Sequence, residues 1–536
     1  MKILFRVLLA AALTTAATGC EKFLDVNENP NNPTAATPSE LLASALTTTA
    51  FNYSSGSNTS TLPGYNSYAS FAADYWGKSG VVNGYTEERT YNYTNQFYQS
   101  LWSNTYDNLN DYNLIQQQAV GYPNHAAIAR IMKVYNFLLL VDEFGDIPYF
   151  TALQGAASTT PTYDKAADIY KDFIVQLDGA IADANAAASG GVGVGAEDVV
   201  FRGDMKKWKQ FANSLKLRIL LRESQTGDAA LDTYVRTQLA TLQTAPDGFI
   251  TNDVVVQPGY AQSANQQNPF FTRYGLTAAG TSATEQLYQI PTNFILNQYV
   301  NNNDPRVSQL YAFGVKDGAS NVYVGTDLGE RSPAGATATL RASFFLQGGG
   351  LLKGPNAPTP LMLLSEHLFS KAEAETRNLF TGGDAAASTD FQDGIKASFV
   401  YFYRTSTSLT DINSTPLSAT TSGTPGIAQY NTYIAANTNN PLVNYALAPS
   451  AGSLGKQSVI IYQKYLAENS VASTEAWDDY RRTAQPKIQA SLESISPRAD
   501  KLPTRLLYPL TETNTNAANI PANVTQFTKI FWDVVD

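Results

Sequence analysis

Two histidines, His125 and His367, are the only imidazoles in the 536-residue chain, so acid–base or nucleophilic catalysis built on histidine has few places to occur. No GxSxG and no GxxxxGK[ST] is present, which removes a nucleophile elbow and a phosphate-cradling loop. Transition-metal sites want clustered His or Cys, and the one cysteine is Cys20. Asp142, Glu143 and Asp146 could offer oxygens to Ca2+, but a carboxylate cluster at a helix end serves equally as a solvated cap or a partner for Lys and Arg. The residues therefore call for no catalytic set, metal or cofactor. Asp478, Asp479, Arg481 and Arg482 in EAWDDYRRT read as an ion-pair network that orients the chain, with Trp477 and Tyr480 packed beneath. A glycosidase would need two carboxyls at a set separation, which a sequence does not measure. Binding chemistry is better represented. Aromatic rings stack on the apolar faces of sugars while Asn, Gln, Asp and Arg take the hydroxyls, at about 0.5–1.5 kcal/mol for ring contacts of this general kind. Rings on helical stripes belong to the core, which leaves Tyr75, Trp76, Tyr85, Tyr91, Phe271 and Tyr274 as candidate ligand-binding residues.

These residues need a frame, and the stretch Asn124–Tyr149 supplies its centre. Ile128, Ile131, Tyr135, Leu138 and Asp142 recur at helical spacing, and Val134, Phe137, Leu139 and Val141 make the second half apolar almost all round. A helix greasy on every side must be buried. Asn124 is the expected cap, and Gly145 with Pro148 beyond it the expected stop. The apolar run Phe137–Val141 is far shorter than the roughly 18 residues a membrane span needs. Upstream, a helix is expected from about Ser39, and Gln96–Ala119 places Tyr98, Trp102, Tyr106 and Leu109 on one stripe. Downstream, Asp164–Ala188 and Asp204–Ser224 form a second helical hairpin. Val254–Val256 and Val322–Val324 read as short strands, residues 257–275 as a long polar loop, Pro360–Asn378 and Thr389–Thr405 as helices, Ser406–Leu454 as a second long loop, and Gln457–Glu468 as the last strong helix. Tyr85, Tyr91 and Tyr93 lie in an irregular stretch and are expected to be partly exposed. The expected fold class is mainly α: tetratricopeptide-like helical hairpin repeats forming an α/α superhelix, with long irregular loops and a few short strands.

Length alone would allow three or four domains, but repeat-built helical bodies run longer as one unit. Charged residues make up only 15% and the polar remainder is Asn, Thr, Ser and Gln, a surface suited to an uncharged polar ligand. Net charge is −10, and removing the two charges of Lys2 and Arg6 with a leader takes it to −12, which disfavours nucleic acid because its phosphates need neutralising. Lys2 and Arg6 flank the apolar run Val7–Leu13, which gives way to small residues and then Gly19-Cys20, the layout of a lipoprotein signal peptide over residues 1–19 ending at a lipidated Cys20. Acyl chains there, at about 0.8 kcal/mol per buried methylene, would hold the protein on a membrane.

FLDVNENPNNPT (23–34), FGDIPY (144–149), WKQFANSLKLRILLRES (208–224), DPR (304–306), LSEHLFSKAEAETRN (364–378), QKYLA (463–467), EAWDDYRRT (475–483) and RLLYP (505–509) together resemble the SusD/RagB nutrient-binding outer-membrane lipoproteins, in the SusD-like 2 branch. The resemblance covers nearly all of residues 20–536, with loop insertions at about 248–352 and 406–454. It implies a lipid-anchored protein exposed on a Gram-negative outer membrane, non-enzymatic, serving a SusC-like TonB-dependent transporter. Members capture glycans and some capture peptides, so oligopeptide binding stays open beside glycan binding, with a surface-tethered glycoside hydrolase as the further alternative. The motifs carry over fold rather than ligand, and only Cys20 transfers as a functional residue.

Overall fold

The computed structural model describes residues 36–55, 63–187, 190–405 and 424–534. Cys20 and the leader lie outside the described residues. The N-terminal half is a succession of helices: α1 (Pro38–Ser54), α2 (Tyr65–Ala72), α3 (Thr86–Thr90), α4 (Ser100–Gln116), α5 (Pro123–Phe144), α6 (Ala166–Ala186), α7 (Met205–Arg222) and α8 (Ala229–Leu242). Neighbours pack in sequence, α4 on α5, α5 on α6, α6 on α7 and α7 on α8, so each hairpin covers the apolar face of the next. Strand β1 (Trp76–Lys78) separates α2 from α3. The second half holds β2 (Val254–Val256), α9 (Pro269–Tyr274), β3 (Gln289–Pro291), α10 (Asn293–Val300), α11 (Val307–Leu310), β4 (Gly314–Lys316), β5 (Ala319–Val322), β6 (Thr359–Met362), α12 (Leu364–Thr376), α13 (Gly383–Tyr403), α14 (Ile427–Ala436), α15 (Lys456–Glu468), α16 (Ser473–Thr483) and α17 (Leu510–Thr515). Among the described residues the strands form three antiparallel pairs, β1–β3, β2–β6 and β4–β5. The fold is thus mainly helical with a few short strands.

The central helix is buried over most of its length, from Ile128 to Phe144. Its start differs from expectation: Pro123 occupies the first turn, where a missing N–H costs nothing, and Asn124 keeps its side-chain oxygen buried without a partner instead of capping. Gly145 ends it at φ 72 and ψ −125, outside the left-handed helical cap expected there but in a positive-φ conformation that glycine adopts without strain. α4 begins only at Ser100, because Tyr98 adopts φ 52 and breaks the stripe read from Gln96. The loop 257–275 contains α9, whose first turn is capped by Asn268 accepting from the Phe271 N–H at 3.0 Å. The strand expected at Val322–Val324 ends at Val322 and pairs with β4, and the loop expected at 406–454 contains α14, with 406–423 outside the described residues.

FLDVNENPNNPT lies outside the described residues; the other segments that carry the family resemblance meet in the interior. Arg222 of α7 pairs with Glu475 at 2.5 Å and Asp478 at 2.8 Å on α16, and with Asp142 on α5. Arg218 pairs with Glu366 on α12 at 2.7 Å and Glu475 at 3.1 Å. Arg481 reaches Asp478, the Asp142 carbonyl at 2.6 Å and the Thr504 carbonyl at 2.8 Å, while Arg482 pairs with Glu373 at 2.6 Å and Asp479 at 2.8 Å. Burial raises Asp142 and Glu143 above the usual carboxylate range; burial would also raise Asp479, but Lys464 and Arg482 overcome it and hold that group low. RLLYP closes over the end of α5 and FGDIPY: the Leu506 N–H donates to the Glu143 carbonyl at 2.8 Å and the Tyr508 hydroxyl to the Asp146 carbonyl at 2.7 Å. Asp304 and Arg306 of DPR are both sealed from solvent and paired at 2.6 Å, with the guanidinium 4.9 Å from the Phe399 ring centre.

Candidate functional site

The β1–β3 register sets Lys78 opposite Gln289, and this pair opens into a hollow of about 420 Å³. α2 supplies Phe71, the turn before α4 supplies Phe97 and Tyr98, α9 supplies Arg273 and Tyr274, and the segment before β3 supplies Glu285 and Tyr288. A second hollow of about 460 Å³ shares Lys78 and Tyr85 with the first and continues past Asn83, Arg89, Asp327, Glu330 and Arg331. Both volumes fall within the range of about 300–1,000 Å³ common to small-molecule sites. Tyr85 thus stands at the junction of one two-lobed cleft, with Phe97, Tyr98 and Tyr288 also half-buried.

Lys78 holds the junction together. Its Nζ lies 3.5 Å from the Tyr85 ring centre and 4.4 Å from that of Phe71, so the cation is gripped between two π faces. Burial pushes its ammonium down to about 8, and burial likewise raises the neighbouring Glu88 carboxyl. Arg273 pairs with Glu285 at 2.7 Å, and Gln289 Nε2 donates to the same carboxylate at 3.0 Å. The Gln289 side-chain amide oxygen, Oε1, is buried with no protein donor. Tyr85 and Tyr98 adopt φ 59 and 52, a left-handed conformation that costs a bulky residue about 1–3 kcal/mol and persists only where the surroundings enforce it.

Of the six rings singled out in the sequence, Tyr85 alone is partly exposed. Tyr274 forms the cleft floor but is 1% exposed, its hydroxyl 2.8 Å from Ser67 Oγ. Tyr75 stacks on Tyr465 at 4.4 Å and donates to its carbonyl, and Trp76 donates to Ser470 Oγ at 2.7 Å within a nest of Phe71, Tyr274 and Phe345. Tyr91 and Tyr93, expected to be partly exposed, are buried; the Tyr91 hydroxyl accepts from the Ser491 N–H at 2.9 Å. Phe271 is also inside. These contacts come from chain segments hundreds of residues away, which is why the local irregularity of the sequence misread them. Phe97, Tyr98 and Tyr288 are not among those six; the dense Tyr and Asn run 91–98 is the one available signal for Phe97 and Tyr98, and Tyr288 has none.

His125 is buried 3.0 Å from Glu197 and 3.1 Å from Ser39, and burial pushes His367 down to about 3. Asp142 and Glu143 face the buried arginines rather than solvent, while Asp146 takes Lys165 at 2.8 Å and the Ala166 N–H at 2.9 Å. No group of three or more His, Cys, Asp or Glu among the described residues is placed to hold a metal. Asp478, Asp479, Arg481 and Arg482 form the buried network described above. Among the described residues no helix is long and apolar enough to cross a membrane.

Solved structures similar to this chain include a SusD/RagB family protein from Bacteroides thetaiotaomicron (22% identity, 94% of this chain and 100% of that one, TM-score 0.67) and a chitin-binding SusD homolog from Flavobacterium johnsoniae (20% identity, 92% and 98%, TM-score 0.67). A further chitin-binding protein aligns at 22% identity over 93% of this chain and 100% of its own, with a TM-score of 0.68. Likeness at these identities speaks for the fold. No curated protein matches the sequence. The family model described as "Starch-binding associating with outer membrane" matches residues 30–509, and the chain accordingly belongs to the SusD-like 2 family, whose members are binding proteins.

Proposed function

We propose that the protein is a non-enzymatic glycan-binding lipoprotein, anchored through Cys20 on the cell-surface side of the outer membrane, that passes oligosaccharides to a SusC-like TonB-dependent transporter. The observation that carries the ligand reading is the two-lobed cleft joined at Tyr85, where a partly exposed ring and the polar side chains lining both lobes offer what an oligosaccharide needs. Family membership supports the membrane association, the family's description supports starch as a first probe, and the names of two similar structures support chitin. Oligopeptide capture is the second reading. The charges lining the cleft, Arg273 and Glu285 in one lobe, Arg331 and Glu330 in the other, would suit a peptide's charged groups.

Calorimetry of the mature protein with malto-oligosaccharides, chito-oligosaccharides and a peptide library, repeated for Tyr85→Ala, tests the reading. Saccharide binding that weakens about fivefold in the variant supports it. Binding of peptides alone replaces it with the second reading, and release of shortened saccharides by purified protein makes the chain a hydrolase. Loss of co-purification with the transporter on Cys20→Ser is the expected result for the anchor.

A further inference from the structure

A third hollow, of about 280 Å³, lies between α4, α5 and α6 under the turn that follows α5, and it shares no lining residue with the Tyr85 cleft. Lys133 of α5 lines it. Its ammonium donates to Asn113 Oδ1 and Gln116 Oε1, both at 3.0 Å, and among the described residues it has no carboxylate partner and no acceptor for its third N–H. Burial and then Arg130 push it down to about 8, as befits a cation with no anion beside it. The one carboxylate in the lining, Asp172, accepts the Tyr149 hydroxyl at 2.7 Å and Gln176 Nε2 at 3.0 Å, both on Oδ2, and makes no ion pair with Lys133.

Arg130 is held beside it. Its Nε donates to Gln176 at 2.8 Å and its Nη1 to Asp183 at 2.9 Å. The guanidinium lies so close to α6 that a β-carbon on Gly179 would meet it at 2.2 Å, so this mid-helix glycine, unfavourable for a helix in itself, makes its seat. At the mouth, the Tyr149 and Phe150 N–H groups both donate to Asp164 Oδ2, at 2.9 and 2.8 Å, which fixes the turn and presents a Phe150 ring that is 52% exposed.

We infer that this hollow is a second binding site, for a single acidic sugar ring such as a uronic acid, whose carboxylate meets the Lys133 ammonium while its apolar face lies on Phe150. An ammonium short of an anion calls for a carboxylate, and the exposed, anchored ring calls for a flat apolar face. The volume, just under the lower end of the usual ligand range of about 300–1,000 Å³, suits one ring rather than a chain.

The test is titration of the full mature chain with glucuronate and, as the neutral counterpart, glucose. Glucuronate should bind about tenfold more tightly than glucose, and Lys133→Met should remove that preference. Phe150→Ala, at an exposed position, should weaken glucuronate about threefold or more with an unchanged melting temperature, which decides the matter if Lys133→Met folds poorly. Tyr85→Ala should leave glucuronate untouched, so failure here is separable from failure of the cleft. Equal affinity for the two sugars, no glucuronate binding at all, or unaltered binding in Phe150→Ala overturns the inference.

Discussion

Arg222 and Glu475 pair at 2.5 Å with both side chains almost sealed from solvent, and they join α7 to α16 across 253 residues of sequence. Around them stand Asp142, Asp478 and Arg218. Replacing Arg222 by Met would leave Asp142, Glu475 and Asp478 without their main counter-charge in a dry interior. A loss of about 3–5 kcal/mol is expected, read as a lower denaturant midpoint. Unchanged stability would mean that the network is more hydrated than its burial implies.

Trp76 and Tyr85 should part company on mutation. Trp76 is fully buried, so Trp76→Ala is expected to lower stability by about 3–5 kcal/mol, and any loss of binding would follow from unfolding. Tyr85→Ala should lower binding with only a small stability change. Thermal melts run beside ligand titrations separate the two; a folded Trp76→Ala that specifically fails to bind would contradict the burial seen here.

The same two residues show what the sequence could and could not reveal. Helices α5, α6 and α7 follow from apolar spacing, because periodicity within one segment is a local property. The Tyr91 and Trp76 contacts with Ser491 and Ser470 are not local, and no spacing rule announces them. Tyr98 was placed on a helical stripe because its position fits the period of Trp102 and Leu109; its left-handed backbone, which turns it toward the cleft lining, left no mark in that pattern. The buried charges were legible as ion pairs in EAWDDYRRT, but their depth depended on α5, α7 and α12 closing around them.

Asp74 should make stability depend on pH in an unusual direction. It is 3% exposed, and burial pushes its carboxyl up to about 8 although it accepts the Gln489 N–H at 2.9 Å. In the unfolded chain the group ionises near about 3.9. Between those values the folded state holds a proton that the unfolded state has lost, so this group's contribution falls as pH rises from about 4 to about 8 and levels off above. Asp74→Asn keeps a neutral acceptor and tolerates the φ of 57, so its stability profile should be flatter and higher at pH 8. Parallel profiles for the two proteins, measured by urea unfolding at several pH values, would refute this.

Tyr85 carries two opposing effects that substitutions can separate. Its ring grips Lys78 at 3.5 Å, while its backbone sits at φ 59, where every residue with a β-carbon is disfavoured. Tyr85→Ala loses the ring contact and keeps the backbone cost, whereas Tyr85→Gly loses the contact and sheds the cost, about 1–2 kcal/mol, less about 0.5–1 kcal/mol for the freer unfolded chain. Tyr85→Gly should therefore be the more stable of the two by up to about 1 kcal/mol, although both lack the ring and both should bind saccharide more weakly than the parent. That order would show that the cleft maintains a strained backbone in order to present one ring face. Equal or reversed stabilities would mean the conformation is not strained, and that Tyr85 holds its place through its side chain alone.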